Sequence, residues 1–208
     1  MMKNSTKAET RKNKILDIAE SLFIEKGYEH TTINDVLLTS GIAKGSLYYY
    51  FKSKEDVLDG IIKRRGDEYI EAADIIAKAG KFNAREKLIR LLMTLSPKDE
   101  RQKKLTDDLE KSSNGQLFVK SLTDIILRLA PIMRDIVEQG IAEGVFETDF
   151  PLESAEILLA AAHALFDNGD LSWTPDEKLR RVAAFIAAAE RTLGAGEGSL
   201  MKPAQEYI

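Results

Sequence analysis

A chain of 208 residues with 44% hydrophobic and 31% charged residues has the make-up of an ordinary globular protein, long enough for one large domain or two small ones. Cysteine is absent, which excludes disulfides and thiolate metal sites, and no apolar run approaches the ~20 residues that span a bilayer. The net charge of −4 is unevenly spread: residues 1–54 hold nine Lys/Arg and six Asp/Glu, a balance of +3, which leaves −7 for the rest. A mildly basic head on an acidic body is expected when only one end approaches phosphates. With a polar N-terminus and no signal-peptide core, the expected location is the cytoplasm.

Residues 1–8 are polar, and Lys3, Lys7, Arg11, Lys12 and Lys14 make a basic arm that serves equally as a soluble tail or as a reach toward backbone phosphates. The first helix is expected from about Glu9 to Lys26, ending at Gly27, with Ile15, Ile18, Ala19, Leu22 and Phe23 as its buried stripe. His30 falls in the following loop as a surface residue. Thr32 with Asp35 three residues later is a capping-box variant that opens a second helix, whose Ile33, Val36 and Leu37 share a face. Gly41 lets the chain leave it. A third helix follows from about Lys44 to Tyr50. Leu47, Tyr50 and Phe51 point inward, while Lys44, Gly45 and Tyr48 face outward with Ser46 and Tyr49 on the flanks. That outer surface carries a cation, hydroxyl donors and a residue without a side chain, which suits close approach to a phosphate-lined groove.

The run Gly41-Ile42-Ala43-Lys44-Gly45-Ser46-Leu47-Tyr48-Tyr49-Tyr50-Phe51-Lys52-Ser53-Lys54, with the amphipathic helix before it, resembles the DNA-binding domain of TetR/AcrR-type transcriptional regulators over roughly residues 10 to 58. Two positions depart from the pattern. Ala43 stands where such proteins often carry Ser, so a cap hydroxyl is missing, and Leu37 replaces a smaller Ala. The resemblance implies an all-α protein: an N-terminal three-helix helix-turn-helix head in residues 1–53, a larger helical ligand-binding and dimerisation body in 54–193, and a flexible tail in 194–208. It assigns DNA contacts to Thr32, Ala43, Lys44, Gly45, Ser46, Tyr48, Tyr49 and Lys54. Of these, Lys44, Ser46 and Tyr48 carry the sequence information, and Lys54 meets the backbone.

Ser53 with Asp56 marks the start of a helix from Lys54 to about Lys78, the expected link between head and body. A further helix is expected over Asn83 to Leu95, and Ser96-Pro97-Lys98-Asp99 restarts the chain before a break at Ser112-Ser113-Asn114-Gly115. The helix from about Gln116 to Glu143 would be roughly 40 Å long, with Pro131 expected to bend it. A turn-rich connector over residues 144–151 leads to helices at about Leu152–Asp167 and Pro175–Leu193, the latter opened by Thr174-Pro175-Asp176-Glu177. Both are apolar almost all round, so a second copy of the chain is the expected cover, through Leu158, Ala162, Leu165, Val182, Phe185, Ile186 and Ala189.

The chain contains no zinc-protease His pair, Gly-x-Ser-x-Gly elbow, P-loop or full calcium loop, so neither a metal nor a cofactor is expected. Asp167-Asn168-Gly169-Asp170 reads as a helix end. Leu88, Leu92, Phe118, Leu122, Ile125, Met133, His163 and Phe166 read first as plain core, with His163 a satisfied interior histidine, and alternatively as the wall of an apolar cavity, where the resemblance implies that an inducer would sit. The expected partners are double-stranded operator DNA, a second copy of the chain and a small-molecule effector, with no membrane. Two other readings follow from the same residues. One is a small-molecule sequestering protein with a vestigial DNA-binding head. The other is an enzyme using His163 and Asp167, which no nucleophile accompanies.

Overall fold

In a computed structural model of the chain, the described residues are 7–95, 115–167 and 173–201, with backbone alone for 95, 115–122 and 167. The expected restart at Ser96-Pro97, the break at 112–114, the Asn168–Asp170 turn, Lys3 and residues 202–208 lie outside them. Among the described residues there are eight α-helices and no strand: α1 Lys7–Lys26, α2 Ile33–Ser40, α3 Lys44–Tyr50, α4 Lys54–Lys78, α5 Ala84–Leu95, α6 Gly115–Ala142, α7 Pro151–Ala162 and α8 Pro175–Thr192. The all-α expectation holds.

The chain divides into two compact units, residues 1–65 with 99–121, and 66–98 with 122–208. The boundary falls inside α4, between Arg65 and Gly66, and not at the start of that helix as the sequence suggests. The reason is local. Val57, Leu58 and Ile61 are buried with at most 1% exposure. Gly60 lies so close to the head that a Cβ there would stand 2.9 Å from the Phe51 ring and 3.0 Å from Leu16 Cδ2. Arg64 donates to Asp17 Oδ1 at 2.6 Å and Glu20 Oε2 at 2.7 Å, and Arg65 Nε donates to Glu20 Oε1 at 2.8 Å. The first three turns of α4 therefore belong to the head.

In the second unit, Leu88, Leu91, Leu129, Ala130, Met133, Val137, Ala155 and Leu193 are among the residues of one continuous core. Asn83 and Glu86 cap α5 reciprocally, each backbone N–H donating to the other's side chain at 3.0 Å, and Glu143 accepts from the Ala84 N–H at 3.0 Å. The Ala84 amide first, then the Gln139 side chain, hold the Glu143 carboxyl below its ordinary pKa. Buried Lys87 is satisfied by the Ala77 carbonyl at 2.6 Å and Gln139 Oε1 at 2.7 Å. Pro131 lies inside α6 on an exposed side. The carbonyl it leaves unpaired is that of Leu127, itself 58% exposed, so the missing backbone bond falls where water can replace it.

Two expectations are corrected here. The helix expected to run to Asp167 is α-helical only to Ala162 and continues as a π-helical turn, His163–Asp167. The segment expected to be a tail from residue 194 is part of the core as far as residue 201. Leu193 and Leu200 are fully buried, and the buried Glu190 carboxylate accepts from the Gly198 N–H at 2.9 Å and the Leu200 N–H at 2.8 Å. Gly194 and Gly198, with φ of 60° and 72°, make the turns that bring these amides back to α8. The sequence shows the glycines but not the acceptor that uses them.

Leu200→Ala is expected to lower unfolding free energy by about 2–5 kcal/mol, the cost of truncating a fully buried leucine. An unchanged urea midpoint would show the segment to be dispensable.

Candidate nucleic-acid interface

The head is built around α3, whose seven residues are too few to hold a helix alone. Its position is set by what precedes and follows it. The Thr32 hydroxyl accepts from the Asp35 N–H at 3.2 Å, and the Asp35 carboxylate accepts from the Thr32 N–H at 2.8 Å, which completes the capping box of α2. The Thr32 hydroxyl also donates to Asp35 Oδ2 at 2.7 Å, and Lys26 reaches Asp35 Oδ1 at 3.2 Å from the end of α1. Gly41, at φ 63°, closes α2 by donating its N–H to the Leu37 carbonyl. Ala43 then opens α3 with no side-chain cap, as the missing hydroxyl implies. Fully buried Leu47 fastens the helix to the core, with nearly buried Phe51 as its C-cap.

The outer face carries Lys44, Gly45 and Tyr48, as the spacing suggests, but Tyr49, expected on the flank, is its most exposed ring, and Tyr50, expected inward, is half-buried. Lys44 is exposed, with Nζ 5.9 Å from the Tyr48 ring centroid. Gly45 is exposed, with open space where a side chain would stand. Tyr48 is 39% and Tyr49 82% exposed, while Ser46 is half-buried. Tyr49 packs edge-on against Tyr50 at 5.1 Å, which steadies a ring that would otherwise be free. The face thus offers a cation, two phenolic hydroxyls and a gap that lets another surface come close.

Lys54 also has a place within the head. Its ammonium donates to the Tyr28 carbonyl at 2.9 Å and lies 4.1 Å from the Tyr28 ring centroid, so it ties the start of α4 to the loop after α1. Tyr28 is itself 2% exposed and packs edge-on to Phe23 at 5.0 Å. Ser53 caps α4 through the Asp56 N–H at 3.1 Å, and Asp56 reaches back to the Lys52 N–H at 2.9 Å. Thr31 is a structural residue that the sequence pattern does not reveal. It is buried, and its hydroxyl donates to the Gly27 carbonyl at 2.9 Å or to that of Leu22 at 3.2 Å, which fixes the turn between α1 and α2. Two adjacent threonines give no sign of which one faces inward.

In the body, Leu88 and Met133 are fully buried in the core, with Leu92, Ile125 and Phe166 partly buried against it. His163 is half-buried on the π-helical turn, and the side chains of Phe118 and Leu122 lie outside those described. Of the residues expected to face a second copy, Leu158, Phe185, Ile186 and Ala189 are buried by the chain itself, while Ala162, Leu165 and Val182 are half-buried. A different stripe remains uncovered on α7 and the turn after it: Ile157, 59% exposed, with Ala160 and Ala164 at helical spacing. On α8, Leu179 is 56% exposed, and Ala183, Ala184 and Ala188 are also exposed. Periodicity marks these helices as apolar all round but does not separate the inner side from the outer one.

The Thr32 hydroxyl first, then its backbone N–H and Lys26, hold the Asp35 carboxyl at about 2, down from its ordinary 3.8. A depressed carboxylate stabilises the fold above its unfolded pKa and loses that contribution as pH falls through the folded value. The stability gap between the native chain and Asp35→Ala is therefore expected to be full above pH 3.8 and to close toward pH 2. Denaturant midpoints measured across that window check it, and a gap independent of pH would contradict it.

Residues 15–61 match the family described as bacterial regulatory proteins, tetR family, and residues 98–188 match the tetracyclin repressor-like C-terminal domain. The chain is 28% identical over 149 residues to the HTH-type transcriptional repressor KstR2 of Rhodococcus jostii (strain RHA1), covering 70% of this chain and 72% of that protein. It is 29% identical over 133 residues to the fatty acid metabolism regulator protein of Bacillus subtilis (strain 168), covering 62% and 68%. The solved structure of Salmonella enterica GusR superposes with a TM-score of 0.67 at 18% identity, covering 95% of this chain and 98% of that one. Among the described residues no helix is long and apolar enough to cross a membrane. With the capped helix-turn-helix, its exposed basic and tyrosine-rich face, and matches to both halves of the family's architecture, the chain belongs to the TetR family of DNA-binding transcriptional regulators, not to an enzyme family.

Proposed function

We propose that the protein is a repressor that binds a near-palindromic operator as a homodimer and is released by a small molecule held in the helical body. The observation that carries the reading is the outer face of α3. Lys44, Gly45, Tyr48 and Tyr49 are exposed together on a helix whose other side is pinned by Leu47. In the major groove, Lys44, Ser46 and Tyr48 would read base edges, while Tyr49 and the start of α2 at Thr32 would hold the backbone. Lys54 serves this surface by holding the head together. Two-fold symmetry of the protein would then be mirrored in the DNA.

The case for the dimer rests on the uncovered side of α7 and α8, where Ile157 and Leu179 stand among alanines small enough to let helices approach closely. A second copy would bury both stripes. The effector reading rests on the family and on the residues of α5, α6 and the turn after α7, where Leu92, Ile125, His163 and Phe166 retain partial exposure. An apolar or amphipathic effector is the chemistry these side chains fit. One relative's name, a fatty acid metabolism regulator, points the same way. Release requires the effector to bind the DNA-competent and DNA-incompetent states unequally.

Selection from a random duplex library is expected to return a near-palindromic consensus whose affinity falls steeply with salt. Lys44→Ala or Tyr48→Ala should cost about 1–3 kcal/mol and relax the consensus at the positions they read. Weak binding to all duplexes alike, unaltered by these changes, would favour the sequestering protein instead. Ile157→Glu with Leu179→Glu is expected to yield a folded monomer by light scattering, with operator affinity reduced at least tenfold. A doubly substituted chain that stays dimeric would place the interface elsewhere.

A further inference from the structure

The basic residues before the helix-turn-helix are not an unstructured arm. From Lys7 onward they are helical, and Lys7, Arg11 and Lys14, at i, i+4 and i+7, form one exposed cationic stripe on the first turns of α1. The arrangement works against the helix that carries it. Lys7 and Arg11 are a like-charge pair at i, i+4, and Arg11 and Lys14 another at i, i+3, which repel across the surface. Lys7 also stands in the first turn of α1, where the backbone dipole disfavours cations. Asp17, one turn beyond Lys14, is occupied by Arg64 at 2.6 Å, and Glu20 is taken by Arg64 and Arg65 together. Glu9 is the one acid among residues 7–14. No ion pair to the stripe is formed among the described residues.

A local conflict of this kind, uncompensated among the described residues, is what a site for an outside anion looks like. Its place in the head identifies the anion. Lys12, within the same two turns, lies with Nζ 5.9 Å from the ring centroid of Phe51, the C-cap of α3. Leu16, one turn on, packs toward the same ring across Gly60. The start of α1 therefore adjoins the far end of the helix whose outer face meets DNA. We infer that Lys7, Arg11 and Lys14 form a second DNA contact, made with backbone phosphates beside the groove that α3 enters. The inference rests on the DNA-binding reading and extends it. The stripe sets affinity and reach along the duplex and leaves base discrimination to α3.

The test uses the full chain, its selected operator and a random duplex of equal length, with binding followed by fluorescence anisotropy across a salt series. In the triple variant Lys7→Gln, Arg11→Gln, Lys14→Gln, the slope of log affinity against log salt should become shallower by about 0.9 for each phosphate that a head no longer neutralises. Affinity for operator and for random duplex should fall by the same factor, and library selection should return the same consensus. The thermal midpoint should stay level or rise, because the repulsive pairs are gone. An unchanged salt slope overturns the inference, as does a lowered thermal midpoint, which would make the stripe part of the head's own fold. A changed consensus also overturns it, since phosphate contacts carry no sequence. A native chain that selects no operator is a different result, seen before any variant is made, and it removes the DNA reading together with this one.

Discussion

Seven residues cannot hold a helix in water, and the head exists to impose the pose of α3 from outside. Each neighbouring element supplies one restraint. The reciprocal bonds of Thr32 and Asp35 fix where α2 begins, and Gly41 fixes where it ends. Leu47 and Phe51 hold the inner side of α3, and the Lys54 ammonium fastens the next helix to the Tyr28 carbonyl. Because the restraints come from the inner side and the ends, the outer side is left with no structural duty. That is why Lys44, Tyr48 and Tyr49 can be given over to a partner without cost to the fold.

The same logic explains why so much of α4 belongs to the head. Glu20 and Asp17 on α1 receive Arg64 and Arg65 at distances of 2.6 to 2.8 Å, with the Arg64, Arg65 and Glu20 side chains each about a fifth exposed or less. Partial burial and two planar guanidinium groups on one carboxylate make this more than an ordinary surface pair. It also occupies Asp17, the acid one turn beyond Lys14. An internal contact thus sets the charge that the head shows outward.

Much of this is legible in the sequence where a rule depends on near neighbours. The capping boxes at Thr32 and Thr174, the glycine at 41, the limits of α3 and α4, and the outward set on α3 all follow from residues within four positions of each other. What cannot be read depends on partners far along the chain. Lys54 meets a carbonyl 26 residues away, and Arg64 an aspartate 47 residues away. Ala189 and Ala188 look alike as letters, yet one is buried and the other exposed, because helical periodicity gives the faces of α8 but not which of them the core will claim. The fold of residues 194–201 escapes the sequence for the same reason: glycines announce turns, and only the position of Glu190 says what the turns are for.

That carboxylate binds two main-chain amides and no side chain of the segment it holds. Recognition of this sort is indifferent to spelling. Glu197, exposed just before the two amides, can drift through many residue types so long as the path of the chain is kept, whereas Glu190, Gly198 and the apolar plug at Leu200 cannot. Across diverging copies of this gene, the last part of the body should therefore hold its shape while its intervening letters scatter. A comparison of sequences alone would be apt to discard it as an unconserved tail.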